Sequence, residues 1–367
     1  MKKIMAFILA MAMLLSGCSG AQQAEAEQPA TETAAAAETA VAAATETETV
    51  PTEAETEPPV VYYNPLNGTI LDAPFDGRIY ANTISNIPDA LPHVGVTQAD
   101  ILMEMYVNGS IIRCLALFTD IEAVAAIGST RSTRLMFNDI CQHYNAILSH
   151  AGGSSQCLAD ANERGLAHYN VDSLMRQADP LAQAMAYRDK EYKYGEHNLF
   201  SIGAGIKAYA ESQGVMVSGM PRVDYGLVFA EDGTPANGED AMDITVTITY
   251  GKSKKDTTMS YDAELGKYVY YQYGQKMVDQ ITGETEAFEN VIVMHTAITM
   301  NGIYHTADFV SGGTGYFACG GKLIPIMWTC EGEDAPFRFF TQEGEPLALG
   351  MGNTYIAICS PESAVVW

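Results

Sequence analysis

Basic side chains are scarce: 20 Lys and Arg stand against 45 Asp and Glu in 367 residues, a formal charge of −25. A field of that sign repels polyanions, which excludes nucleic acid and direct docking on anionic lipid. An anionic ligand would require a local basic patch. Cysteine is sparse too, with seven residues, no C-x-x-C pair and no Cys–His grouping at metal spacing. No metal and no cofactor are therefore expected. There is no G-x-x-x-x-G-K-[ST] and no G-x-S-x-G, so neither a phosphate-cradling P-loop nor a nucleophile elbow is present. The apolar run Ile4 to Leu15 is about a dozen residues, short of the ~20 that a bilayer-spanning helix needs.

That short run is informative in its own right. Lys2 and Lys3 precede it, and Leu15-Ser16-Gly17-Cys18 follows it as a bacterial lipobox. Residues 1–18 read as a lipoprotein signal peptide with Cys18 as the lipidation site and the mature N-terminus. Acyl chains on one N-terminal Cys anchor a protein to a membrane. The expected location is thus the cell membrane, lipid-anchored and facing outside the cytoplasm. Residues 19–61 hold Ala, Thr, Glu, Gln and Pro, with nine Glu and no Lys or Arg. Such a segment buries too little apolar surface to offset its ordering entropy and reads as a disordered tether. Its coil span is roughly 35–40 Å. Without the tether and the two N-terminal lysines, 36 acidic and 18 basic residues remain, so the folded part is acidic by itself.

The remaining ~305 residues suggest two domains. The first, 62–213, reads as an α/β-type domain with a mixed sheet. Its clearest element is a hairpin, ILMEMYV and SIIRCLALFTD joined by Asn108-Gly109. A two-residue Asn-Gly turn sets Glu104 opposite Arg113 as a cross-strand pair. Ser129 or Thr130 then caps a helix that carries Arg131 and Arg134 on one side of its first turn. Two cations there oppose the helix dipole and invite an anion. Ala146 to His150 reads as a strand, Gly152-Gly153-Ser154 as a turn into a helix ended by Gly165. Ser154 fits capping better than nucleophilic duty. Further on, AYRDKEYKYGEHNLF reads as a long surface loop with Arg188, Asp189, His197 and Asn198.

Residues 222–367 change texture. DITVTITY at Asp243–Tyr250 alternates with period two. Further short strands follow at Asn290–His295, Gly315–Ala318, Leu323–Thr329 and Thr354–Ser360, so this half reads as a mostly antiparallel β domain. Tyr261, Tyr268, Tyr270, Tyr271 and Tyr273 offer an aromatic shelf for sugars, although strand packing accounts for most of them. Cys114, Cys141, Cys157, Cys319, Cys330 and Cys359 read as free, buried small hydrophobes, with one or two disulfides as the alternative. The overall class is α+β.

Taken together, QADILMEMYVNGSIIRCLALF, the RSTR segment, HAGGSS, the YRDK…EHNLF stretch, ENVIVM, the Gly-rich segment near Gly313 and the GNTYIAI ending resemble the YerB-like bacterial lipoproteins. The likeness spans essentially everything after the tether. It implies the two-domain build and the extracytoplasmic location; the family has no established activity. Three functions are carried forward. One is a membrane-anchored binding or scaffolding module of the cell envelope, with a polar ligand site in the first domain. The second is a hydrolase or transferase acting on a wall polymer or peptide. The third is a solute-binding lipoprotein. The candidate ligand residues are Glu104, Arg113, Arg131, Arg134, His150, Gly152, Gly153, Ser154, Arg188, Asp189, His197 and Asn198.

Overall fold

The computed structural model describes residues 60–192 and 194–367. The signal peptide, Cys18 and the tether through residue 59 lie outside them.

The first half supplies β1 (Tyr80–Ser85), β2 (Ile101–Asn108), β3 (Ile111–Phe118), α1 (Leu135–His143), β4 (Ile147–His150), α2 (Ser155–Glu163), β5 (His168–Asn170) and α3 (Gly203–Ser212). The second half adds β6 (Asp243–Tyr250), β7 (Ser253–Asp262), β8 (Lys267–Gln272), β9 (Asn290–His295), β10 (Gly313–Cys319), β11 (Lys322–Thr329) and β12 (Thr354–Cys359). The fold is α+β. One large mixed sheet runs β11-β10-β9-β12-β2-β3-β1-β4-β5. Its β9–β12, β12–β2, β1–β4 and β4–β5 pairs are parallel, the others antiparallel. Because β12 lies beside β2, both halves contribute strands to this sheet. The strands β6, β7 and β8 pair antiparallel in a second sheet.

The central strands read as nearly unbroken apolar runs because both faces of the large sheet are covered. Ile101, Met103, Met105, Leu115 and Leu117 pack with Met136, Phe137 and Ile140 of α1. Leu102, Tyr106, Ile112, Cys114 and Phe118 pack on the opposite face with Ile244, Val246 and Tyr270 of the second sheet. All six described cysteines are free and buried, in line with their reading as small hydrophobes. Among the described residues, no helix is long and apolar enough to cross a membrane.

The Asn108-Gly109 hairpin forms, but an irregularity between Tyr106 and Asn108 shifts the register by one residue. Glu104 therefore faces Cys114, and Arg113 faces Met105. A one-residue slip sends every later side chain to the other face, so Glu104 and Arg113 lie on opposite sides of the sheet and form no pair. Next, RSTR is not the start of a helix. Arg131 N donates to Thr83 O at 3.0 Å and Ala151 N to Arg131 O at 2.9 Å, which holds the segment extended between β1 and the turn after β4. The helix begins only at Leu135, with Arg134 extended at its N-cap and no side-chain cap. Finally, the stretch read as one long loop has strands at its two ends, Ala186–Arg188 pairing antiparallel with Leu199–Ser201, and the described residues between them stay loop apart from a short turn at Gly195–His197.

Candidate functional site

The extended RSTR segment fixes a group of basic side chains. Arg113 comes up from β3 and donates from Nη1 to the Ser132 carbonyl at 2.6 Å. Arg131 donates to the Glu196 carbonyl. Arg134 donates from Nη1 to Thr133 O at 2.7 Å, and its guanidinium carbon lies 4.9 Å from the centre of the Tyr304 ring. Each of these acceptors is neutral. Among the described residues, none of the three guanidiniums has a carboxylate oxygen within ion-pair distance, while Arg164, Arg176, Arg188 and Arg338 all do.

Two of the three guanidiniums are desolvated as well as unpaired, while Arg131 is half-buried and feels the Glu196 charge. Arg113 and Arg134 are 4% and 8% exposed, and His197 is 5% exposed. Arg113 Nε, Arg134 Nε and His197 Nδ1 are buried without hydrogen-bond partners. Burial, then the neighbouring guanidiniums of Arg134 and Arg131, push Arg113 down to about 9. Burial likewise lowers Arg131 and Arg134. His197 is held below the usual imidazole range by burial and then by Arg131. Unpaired buried cations are unfavourable unless an opposite charge arrives. Arg also offers a planar fork suited to carboxylate or phosphate oxygens. The arrangement can hold an oxyanion.

The glycine turn supports this cluster from behind. Gly152, at φ +78°, takes a left-handed conformation that favours glycine. Its carbonyl accepts from Thr133 N at 2.9 Å, and Ser132 Oγ donates to Ala151 O at 2.9 Å. His150 is fully buried and donates from Nδ1 to Gly152 O at 2.8 Å, with Nε2 3.1 Å from His168 Nδ1. Ser154 caps α2 by accepting from Cys157 N at 3.1 Å, while Gly153 packs beside Leu158 and Thr133. Among the described residues no hydrogen bond joins Ser154 to His150.

The structure brings Arg113, Arg131, Arg134 and His197 within electrostatic reach of one another; Arg188 also acts on Arg131, but its charge is engaged elsewhere. Arg188 is paired with Asp172 at 2.7 Å and donates to Asn198 Oδ1 at 2.6 Å. Asp189 closes its own turn by accepting from Glu191 N. Glu104 is buried on the other face, where Lys255, Thr257, Tyr270, Tyr355 and Asn86 all donate to its carboxylate. Sequence reasoning missed Lys255. The available signal was its phase: Lys255, Thr257 and Met259 alternate together and all three are buried.

The fold and the cluster define an α+β protein with a mixed sheet shared by both halves and an arginine group gathered by the extended RSTR segment. Residues 68–216 match the model described as "Protein of unknown function (DUF3048) N-terminal domain", and residues 246–356 match its C-terminal counterpart. The chain belongs to the YerB-like family. It is 27% identical over 292 residues to "Putative lipoprotein YerB" of Bacillus subtilis (strain 168), covering 77% of this chain and 81% of that one. The crystal structure of YerB protein from Bacillus subtilis superposes with a TM-score of 0.70 at 21% identity, covering 83% of this chain and 99% of that chain.

Proposed function

We propose that the protein is a lipid-anchored, extracytoplasmic binding module of the cell envelope, whose arginine cluster captures an oxyanion of an envelope ligand. The lipobox at Cys18 and the lipoprotein name of the Bacillus relative support the anchor. The observation that carries the binding reading is the set of three guanidiniums, two of them nine-tenths buried, without a carboxylate partner in a chain of charge −25. The hydrolase reading has less support, since Ser154 is spent on a cap and Glu104 sits behind the sheet.

The test is thermal denaturation of the full-length chain with inorganic phosphate, polyglycerol phosphate, and a muropeptide with free or amidated carboxylates. A melting rise with at least one anionic probe is expected, weakening with salt and lost in Arg131→Gln. No rise with any of them overturns the reading.

A further inference from the structure

A cleft of about 530 Å³ opens at the tip of β8. That volume falls within the ~300–1,000 Å³ range of ligand sites. It is walled by Pro88, Leu91, Pro92 and Met277 on the apolar side and by Tyr273. Of the five tyrosines that the sequence offered as a shelf, Tyr268 and Tyr270 are fully buried, whereas Tyr273 is 43% exposed.

The position of Tyr273 is unusual. Gln272 pairs with Gln275, so Tyr273 and Gly274 form a two-residue turn with φ of +51° and +76°. Turns with two positive φ values favour Asn, Asp and Gly, and an aromatic residue there is disfavoured. This chain nevertheless keeps a ring at that place. Its hydroxyl donates to Asn86 O at 2.9 Å, and Lys255 Nζ lies 5.6 Å from the ring centre.

The polar lining is made of amides. Gln275 and Gln280 form no side-chain hydrogen bond among the described residues. Gln272 is fully buried beneath them and spends its amide inside the protein, Oε1 accepting from Lys255 and Asn86 and Nε2 donating to Thr257 Oγ1. Next to these lining residues, Asn86 Oδ1 and His93 Nε2 are buried and unpartnered. The charges of the cleft are largely spent: Asp279 accepts from Thr97, Ile281 and Thr282, and Lys276 is solvated at the rim. Neutral donors and acceptors beside an aromatic ring suit a sugar bearing hydroxyl or acetamido groups. An extended peptide fits less well, because the neighbouring sheet edge, Gln275–Lys276, is two residues long.

We infer that the Tyr273 cleft binds a neutral glycan, one pyranose lying on the ring and its hydroxyl or acetamido groups bonding to the exposed amides of Gln275 and Gln280. The cleft shares no lining residue with the arginine cluster, and an uncharged ligand makes its test independent of the anion-binding reading. The experiment is calorimetric titration of the full-length chain with a β-1,4-linked N-acetylglucosamine tetramer, with a glucose tetramer and a Pro-rich peptide in parallel. Saturable binding of a sugar tetramer is expected, insensitive to added salt because the ligand is uncharged. Tyr273→Phe keeps the ring and should stay within about twofold of the parent. Tyr273→Asn suits the turn and so preserves the fold, yet should weaken binding by about tenfold or more. No binding of either sugar, binding of the peptide alone, or equal affinity in Tyr273→Asn overturns the proposal.

Discussion

Lys255 of β7 donates to the carboxylate of Glu104 on β2, two residues 151 positions apart that meet with side chains only 6% and 0% exposed. The contact joins the second sheet to the shared one. Burial alone would push the Glu104 carboxyl up; the Lys255 charge and the hydroxyls of Tyr355 and Thr257 outweigh it and hold the group below the usual carboxylate range. Removing one partner strands the other, so Lys255→Met should cost about 3–5 kcal/mol. The double variant Lys255→Met with Glu104→Gln leaves no buried charge and should recover much of that loss. Because the folded pKa is depressed, the stabilisation is present above the unfolded value near ~4.3 and fades as pH falls below it. Denaturant midpoints from pH 7 to 3 check all three statements. A double variant no better than the single would show that geometry rather than charge holds the site.

The same residues show what a sequence can reveal here. The Asn-Gly hairpin was legible because its turn chemistry is local. Its register was not, since both faces of β2 and β3 are buried and an apolar pattern cannot choose between them. The irregularity near Val107 made the choice and sent Glu104 and Arg113 to opposite sides. Arg131 and Arg134 were legible as anion-seeking groups by type. Their extended backbone was not, because it depends on Thr83 and Ala151, contacts distant in sequence. His197 reached the cluster from a loop, and nothing local announced that it would.

The arginine cluster makes a prediction about stability. With no anion present, Arg113 is a buried cation facing two others, so its charge opposes folding. Arg113→Met should therefore leave the anion-free midpoint unchanged or higher, instead of lowering it as a typical core change does. The parent should gain ~2.7 kcal/mol at an anion concentration of 100 times Kd, and the variant should lose that gain. Chemical denaturation with and without phosphate or muropeptide separates the outcomes. A variant destabilised equally in both conditions would mean that Arg113 serves packing alone.

His150 ties the turn to pH. A carbonyl can only accept, so Nδ1 carries the proton toward Gly152 and Nε2 accepts from His168. Burial, then the neighbouring His168, hold the imidazole down to about 3. The unfolded chain takes up this proton near ~6.5. Between those values the unfolded state binds a proton that the folded state refuses, so stability drops on acidification by ~1.4 kcal/mol per pH unit. His143, held down to about 4 by burial, adds a similar loss over much of the same range. His150→Asn places an amide N–H where Nδ1–H stood and has nothing to titrate. Its stability curve should lose one proton's worth of slope between about pH 6 and 4, with the His143 share intact. Equal slopes in parent and variant would mean that His150 takes up its proton without unfolding the turn that supports the arginines.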